Sequence, residues 1–282
     1  MGWNSSLWFL SRHVHPSPQY NADLFSFQVV SDLHLEVEGL YESFEIPPVA
    51  KYLILAGDIG KLVQRDRFFV FLKAHASKFS HIFLVLGNHE FYGVTRDEGL
   101  EIAQWLENQL HGKLTVMNRI RVDVSQKVTV LGCTLHSHIN PDHFEEIGRV
   151  LSDFKMIKSW TPAAHNDEHN HDVTWLKEQV SSIPQNRRII ICTHHAPIVR
   201  GSCNSPHENS VTASAFATEL FTREARWRKG TVWIYGHTHQ NGILRRKGVT
   251  IVSNQRGYFG TGEKNRIARN EFRRDFTINV WR

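Results

Sequence analysis

Lys51–Asp58, KYLILAGD, and His81–Glu90, HIFLVLGNHE, decide how this chain is to be read. Each starts as a short, almost wholly apolar run and ends at a glycine followed by residues that bind cations or move protons. A strand with no polar face is what a sheet covered on both sides demands. The pattern recurs three times. Phe25–Val30 runs into Ser31-Asp32-Leu33-His34, Arg188–Thr193 into His194-His195, and Thr231–Tyr235 into Gly236-His237-Thr238-His239. In open α/β sheets, ligands gather in the crevice at the carboxyl ends of strands, so five such loops can converge although they lie far apart in sequence. Glycines at 57, 87 and 236 let the backbone turn sharply and approach a bound group closely.

Between these strands the apolar period lengthens to that of helices. Arg65–Lys78 places Phe68, Phe69, Phe71 and Leu72 on one face, and Arg96–Leu110 does the same with Leu100, Ala103, Trp105 and Leu106. Asp167–Val180 and Ala213–Phe221 read as further helices. Alternating strands and helices predict an α/β fold. Leu114–Asn118, Arg121–Val124, Val128–Thr134, Gly248–Ser253 and Phe276–Trp281 read as antiparallel strands. No repeat, low-complexity tract or linker interrupts the pattern, so one domain is expected over 25–282, preceded by a tail over 1–24.

Composition narrows the class. The chain has 282 residues, 41% apolar and 22% charged, which is ordinary for a globular protein. Lys and Arg exceed Asp and Glu by 33 − 28 = 5, with much of the excess at Arg245-Arg246-Lys247 and from Lys264 to Arg274. A mild positive field favours phosphorylated substrates, but no basic stripe interleaved with aromatics marks a nucleic-acid binder. Cys133, Cys192 and Cys203 form no CxxC pair, which argues against a disulfide framework and for a reducing compartment. No apolar run approaches the roughly 20 residues of a membrane span. Gly2 and Ser6 fit the myristoylation pattern, yet so short a pattern recurs by chance and is read as an ordinary tail. With no basic start and long apolar core of a secretory signal, a cytoplasmic location is expected.

The ligand types point to the chemistry. Imidazole and carboxylate without thiolate disfavour a structural zinc site and suit two divalent ions, Mn, Fe or Zn. Asp58 is the candidate bridge, since a carboxylate has two oxygens to share. Asp32, His34 and His239 would complete one ion, and Asn88, His194 and His237 the other. Singly, Asp-x-His is a common cap and Gly-Asp a common turn; Gly-His-Thr-His is harder to explain structurally, because two imidazoles each need a partner. All five behind apolar strands, in this order, are not a coincidence of turns.

That ordered set, from about Phe27 to His239, resembles the calcineurin-like metallophosphoesterase superfamily. The resemblance implies a four-layer α/β/β/α metallophosphoesterase sandwich with two central mixed β-sheets, and hydrolysis of a phosphate mono- or diester. The expected mechanism is attack by a metal-bridged hydroxide at a dinuclear centre, with His89 as the catalytic histidine and Asp32 or Glu90 orienting its ring. Counting from the strand, His194 takes the family's ligand place, which leaves His195 beside the site or facing substrate. Arg256 is a candidate phosphate clamp because its planar fork pairs two oxygens. His136 and His138 read as surface residues, and His165, His169 and His171 as solvated; Phe144–Trp160 reads as a substrate-selecting lid. The alternatives are a cyclic-nucleotide phosphodiesterase or nuclease on the same core, or a non-catalytic metal-binding scaffold.

Overall fold

The computed structural model describes residues 24–203, 211–258 and 272–281. The expected tail and its myristoylation pattern therefore lie almost wholly outside the described residues, as does part of the late basic run. Among the described residues the chain forms strands β1 (Leu24–Val30), β2 (Tyr52–Ala56), β3 (His81–Val85), β4 (Leu114–Val116), β5 (Ile120–Asp123) and β6 (Val128–Gly132). β7 (Arg188–Cys192), β8 (Val232–Tyr235), β9 (Gly242–Arg246), β10 (Val249–Ser253) and β11 (Thr277–Trp281) follow. The helices are α1 (Leu35–Glu38), α2 (Arg65–Ala76), α3 (Arg96–Gln109), α4 (Phe144–Val150), α5 (Asp153–Met156) and α6 (Pro162–Ser182).

Two mixed sheets result, one in the order β11-β1-β2-β3-β4 and one in the order β5-β6-β7-β8-β10-β9. Period-two alternation along each strand assigns its side chains to two different layers. Leu53 and Leu55 of β2 pack with Phe68, Phe71 and Leu72 of α2 and Leu106 of α3. Ile54, between them, points the other way, into a core with Phe83, Val130, Ile190 and Ile234 from both sheets. Ile189 and Ile191 of β7 complete the alternation against Val173, Leu176 and Val180 of α6. Helices, sheet, sheet and helices make the expected four-layer α/β/β/α sandwich.

Three local expectations change. β4, β6 and β10 pair in parallel with β3, β7 and β8, so antiparallel pairing is confined to β5–β6, β9–β10 and β1–β11. Ala213–Phe221 forms no α-helix; a 3-10 turn covers Val211–Ala215. Beyond it, the amides of Thr218 and Leu220 donate to the carbonyls of Ala196 and Pro197 instead of to their own preceding turn. α6 starts five residues early, where Thr161 caps the Ala164 amide and Pro162 occupies the first turn. Its buried face accordingly runs from His165 and His169 through Val173, Leu176 and Val180.

The shared inter-sheet core makes a direct test. Ile54→Ala and Ile190→Ala should each cost about 2–5 kcal/mol, the usual range for emptying a buried aliphatic site. Urea unfolding reads the loss; costs well under 1 kcal/mol would mean that the two sheets do not close on these residues.

Candidate active site

All five polar clusters follow a parallel strand at its carboxyl end: β1, β2 and β3 in one sheet, β7 and β8 in the other. Backbone bonds knit their loops together. Asp32 and His34 donate their amides to the Gly57 and Asp58 carbonyls, and Gly236 donates to His194. The turns are tight enough to force an unusual backbone. Asp32, His34, Asp58, His237 and His239 all have left-handed φ, between 46° and 72°. Non-glycine residues rarely hold that conformation unless surrounding structure imposes it, and such positions cluster at functional sites.

The glycines serve less as turns than as space. Gly57 does have φ +89°, but a Cβ there would also lie 2.3 Å from His194 Nδ1. Gly87 has no such φ; a Cβ on it would lie 2.2 Å from Asp58 Oδ1. The His194 and Asp58 side chains occupy the volume that any other residue would need.

Nitrogen and oxygen atoms of Asp32, His34 and His239 lie within 4.8 Å of one another, and so do those of Asp58, His194 and His237. Asp58 stands between the groups. Its Oδ1 is 3.3 Å from His194 Nε2 and its Oδ2 is 3.9 Å from His34 Nε2. Asn88 Oδ1 is 3.1 Å from His194 Nε2, and His239 Nε2 is 3.4 Å from Asp32 Oδ1. His34 and His239 point their Nε2 atoms at each other, 3.0 Å apart, while the other nitrogen of His34 is buried without a hydrogen-bond partner. Two sets of hard oxygens and imidazole nitrogens that face inward, without thiolate, fit divalent cations.

The structure separates His194 from His195. His194 places Nδ1 against the Ala56 carbonyl at 2.9 Å, which fixes Nδ1 as a donor and turns Nε2 toward Asp58. His195 is fully buried, neither ring nitrogen has a partner, and it does not line the cavity. Its ring lies 4.1 Å from that of His237, which also lies 4.9 Å from Phe216 and 5.0 Å from His194. The substrate-facing option for His195 is corrected by this placement. The phosphate-clamp expectation for Arg256 is corrected too: its guanidinium is buried, donates to the Leu33 carbonyl and to Glu38, and lies over Phe44.

His89 is held at both nitrogens. Nδ1 is 2.8 Å from Glu36 Oε1, and Nε2 is 2.8 Å from the Tyr258 hydroxyl. Neither Asp32 nor Glu90 orients the ring. Glu90 instead accepts the amides of Asp58, Ile59, Gly60 and Gly87, which clamps two of the loops to one carboxylate. Glu36 lies inside the DLHLE stretch, and only its return toward His89 after one helical turn would have marked it. Tyr258, stacked on His34 at 4.2 Å, carried no sequence signal.

Charge follows this geometry. Burial opposes ionisation of Asp58, but the imidazoles of His194 and His89 hold its carboxyl well below the usual range. Burial likewise opposes protonation of His194, and Asp58 overrides it, pushing the imidazole up to about 10. Glu36 is buried, yet His34 and His89 bring its carboxyl down to about 2. Burial and the Asp58 charge push Glu90 up to about 7. Burial pulls His237, in the group with Asp58 and His194, well below the normal imidazole range, and behind these groups it pulls His136 down to about 3 and His165 and His195 well below that range. His136, His165 and His169 are buried, contrary to expectation, because the α6 stripe turns toward the end of β6; His138 and His171 are exposed.

A cavity of about 460 Å³ opens on Asp58, Asn88, His89, His237 and His239. Tyr92, Tyr258 and Asp153 share that side, and Leu151, Val199, Ala213, Ala215 and Phe216 add an apolar wall. Leu151–Asp153, from the expected lid segment, thus reach the cavity.

These features define a phosphoester-hydrolase type of site, and comparison with known proteins gives the family. A profile of the calcineurin-like phosphoesterases matches residues 25–241, so the chain belongs to that family. It is 27% identical over 259 residues to the uncharacterized protein L509 of Acanthamoeba polyphaga mimivirus, covering 81% of this chain and 90% of that one. Its fold is similar to that of the phosphopantetheinyl hydrolase PptH from Mycobacterium tuberculosis, with TM-score 0.67, 15% identity, and coverage of 93% and 97%. It is also similar to TT1561 of Thermus thermophilus, with TM-score 0.50, 14% identity, and coverage of 82% and 89%. The family supports a metal-dependent phosphoester hydrolase. No helix among the described residues is long and apolar enough to cross a membrane.

The Glu90 clamp can be tested without any substrate. In Glu90→Gln, whichever way the amide turns, its NH₂ meets a pair of backbone N–H donors. The loss should be about 1–3 kcal/mol, typical of a buried donor left without its acceptor. Chemical denaturation showing less than about 0.5 kcal/mol would remove the clamp from the account of the fold.

Proposed function

We propose that the protein hydrolyses phosphoesters with two divalent cations. Asp32, His34 and His239 would hold one, Asn88, His194 and His237 the other, with Asp58 as the carboxylate placed between the two groups. The observation that carries this reading is the position of Asp58, with one oxygen toward each group of inward-facing donors. Cations held there would supply an activated water at neutral pH and offset charge on the phosphate oxygens.

The remaining chemistry belongs to the chain. Glu36 accepts from Nδ1 of His89 and so fixes the ring with Nε2 toward the cavity. From there His89 protonates the oxygen that leaves phosphorus. The Tyr258 hydroxyl, on the same nitrogen, marks the position that the leaving oxygen takes. The cavity is within the usual size range for small-molecule sites, about 300–1,000 Å³. Its apolar wall suits an organic arm on the ester, which favours a small phosphoester over a phosphorylated protein surface. PptH is by name a hydrolase of phosphopantetheinyl groups, and at 15% identity that likeness extends to fold alone.

Metal-reconstituted protein should hydrolyse p-nitrophenyl phosphate or bis-p-nitrophenyl phosphate with Mn²⁺ and lose that activity in chelator. Silence toward both esters with Mn²⁺, Fe²⁺ and Zn²⁺ would favour the non-catalytic scaffold. His89→Ala should lower kcat by about 10²–10⁴, the usual value of general acid help, while metal content stays unchanged. Asp58→Asn should lose metal as well as rate, and full occupancy by metal analysis would refute the shared-oxygen role.

A further inference from the structure

A cation gains from an asparagine only when the carbonyl oxygen, and not the NH₂, faces it. Nothing in the covalent structure of Asn88 selects that face, because the side-chain amide is nearly symmetric in shape. In this fold the selection has a visible cause. Asn88 Nδ2 donates to Asp153 Oδ1 at 2.8 Å and lies 3.2 Å from the Tyr92 hydroxyl oxygen. The Tyr92 hydroxyl itself donates to the same Asp153 oxygen at 2.6 Å. An ionised carboxylate only accepts hydrogen bonds, so it takes the NH₂ and rejects the carbonyl oxygen. Asn88 Oδ1 is thereby turned to the His194 side of the site.

Asp153 is itself fixed. It is buried, opens α5, and lines the cavity. Its segment is tied to the turn that follows His89: Gly93 donates to the Met156 carbonyl at 2.8 Å, and Lys158 donates to that of Val94 at 3.0 Å. Ile157 is part of the core beneath α2 and α3. Tyr92, the second donor to Asp153, stacks on His89 at 4.2 Å. One carboxylate from a segment outside all five motif clusters thus reaches both the amide of a proposed ligand and the ring packed on the proposed catalytic histidine.

We infer that Asp153 is a positioning residue that sets the orientation of Asn88 and, through it, the affinity of the site for its second cation. The inference rests on the ligand set proposed above. Outer-shell partners of ligands typically change metal affinity by about 10–100-fold when removed. Asp153→Ala deletes the acceptor and frees the amide to turn over. Asp153→Asn keeps one carbonyl oxygen, and a single oxygen accepts both bonds in the present arrangement, but its NH₂ can also donate to a turned Asn88. The conservative variant should therefore hold Asn88 less firmly than Asp153 and more firmly than Asp153→Ala.

Mn²⁺ binding to the chelator-treated full chain, measured by titration calorimetry, separates the outcomes. Asn88→Ala and Asp153→Ala should each weaken the second Mn²⁺ by about 10–100-fold, with Asp153→Asn between them and the unmutated protein. Unchanged binding in Asn88→Ala would overturn the ligand set itself. Weakening in Asn88→Ala with none in Asp153→Ala would leave the ligand set standing and overturn the role of Asp153. Asp153→Asn as weak as Asp153→Ala would also overturn it, since charge and not amide orientation would then be what matters. Should Asp153→Ala melt below the assay temperature, Asp153→Ser, whose hydroxyl falls short of Asn88, carries the same comparison.

Discussion

The divided reach of Asp58 is the constraint on which the rest of the site depends. One carboxylate sits at the end of β2, with a histidine from β1 toward one oxygen and a histidine from β7 toward the other. β1 and β7 belong to different sheets, so this arrangement exists only while the sheets keep their register. The inter-sheet core around Ile54, Phe83, Val130 and Ile190 is therefore part of the site's geometry as much as of the fold's stability. The Glu90 carboxylate adds local rigidity by gathering four amides from the loops after β2 and β3.

Such precision has a conformational cost. Asp32, His34, Asp58, His237 and His239 hold left-handed backbone, a state that costs of order 1–3 kcal/mol for non-glycine residues. Asp and His tolerate it better than branched or bulky residues. The surrounding bonds offset it: the His237 amide donates to Asp32 at 2.9 Å, the His89 amide to Asp58 at 2.9 Å, and the His239 amide to Gln255 at 2.6 Å. The Asp32 and Asp58 carboxylates, which face the cluster of imidazoles on one side, thus also hold the loops on the other. Removing such a carboxylate therefore disturbs a loop as well as a donor set.

Much of this was legible in the sequence because strand, glycine and ligand stand next to one another in the chain. The apolar runs gave the layers, and the residue after each run gave the donor set. What stayed hidden depends on where a side chain turns. Arg256 and His195 have the right chemistry for phosphate, but one folds back onto Leu33 and the other enters the interior behind His237. Glu36, Tyr258 and Asp153 reach the site from a helical turn, from the loop after β10 and from α5, where no strand announces them. The face of α6 was misjudged for a related reason. Its period includes His165 and His169, and an imidazole at an apolar position of a stripe looks solvated until the strand it packs against is known.

The histidines behind the donor layer explain why that misreading matters. His136, His165 and His195 are buried with ring centres 5.0–5.6 Å apart, and each has at least one ring nitrogen without a partner. Burial holds all three neutral, so they add volume and polarity without adding positive charge beside the donor set. A lysine or arginine in the same volume would repel cations, and a carboxylate would compete with Asp58 and Asp32 for them. Neutral imidazole also matches the flat faces of His237 and Trp160, against which His195 and His136 lie at 4.1 Å and 5.3 Å. The same residue type thus does two jobs a few ångströms apart. The imidazoles of His34, His194 and His239 turn a ring nitrogen toward Asp58 or Asp32, whereas those of His136, His165 and His195 pack ring against ring.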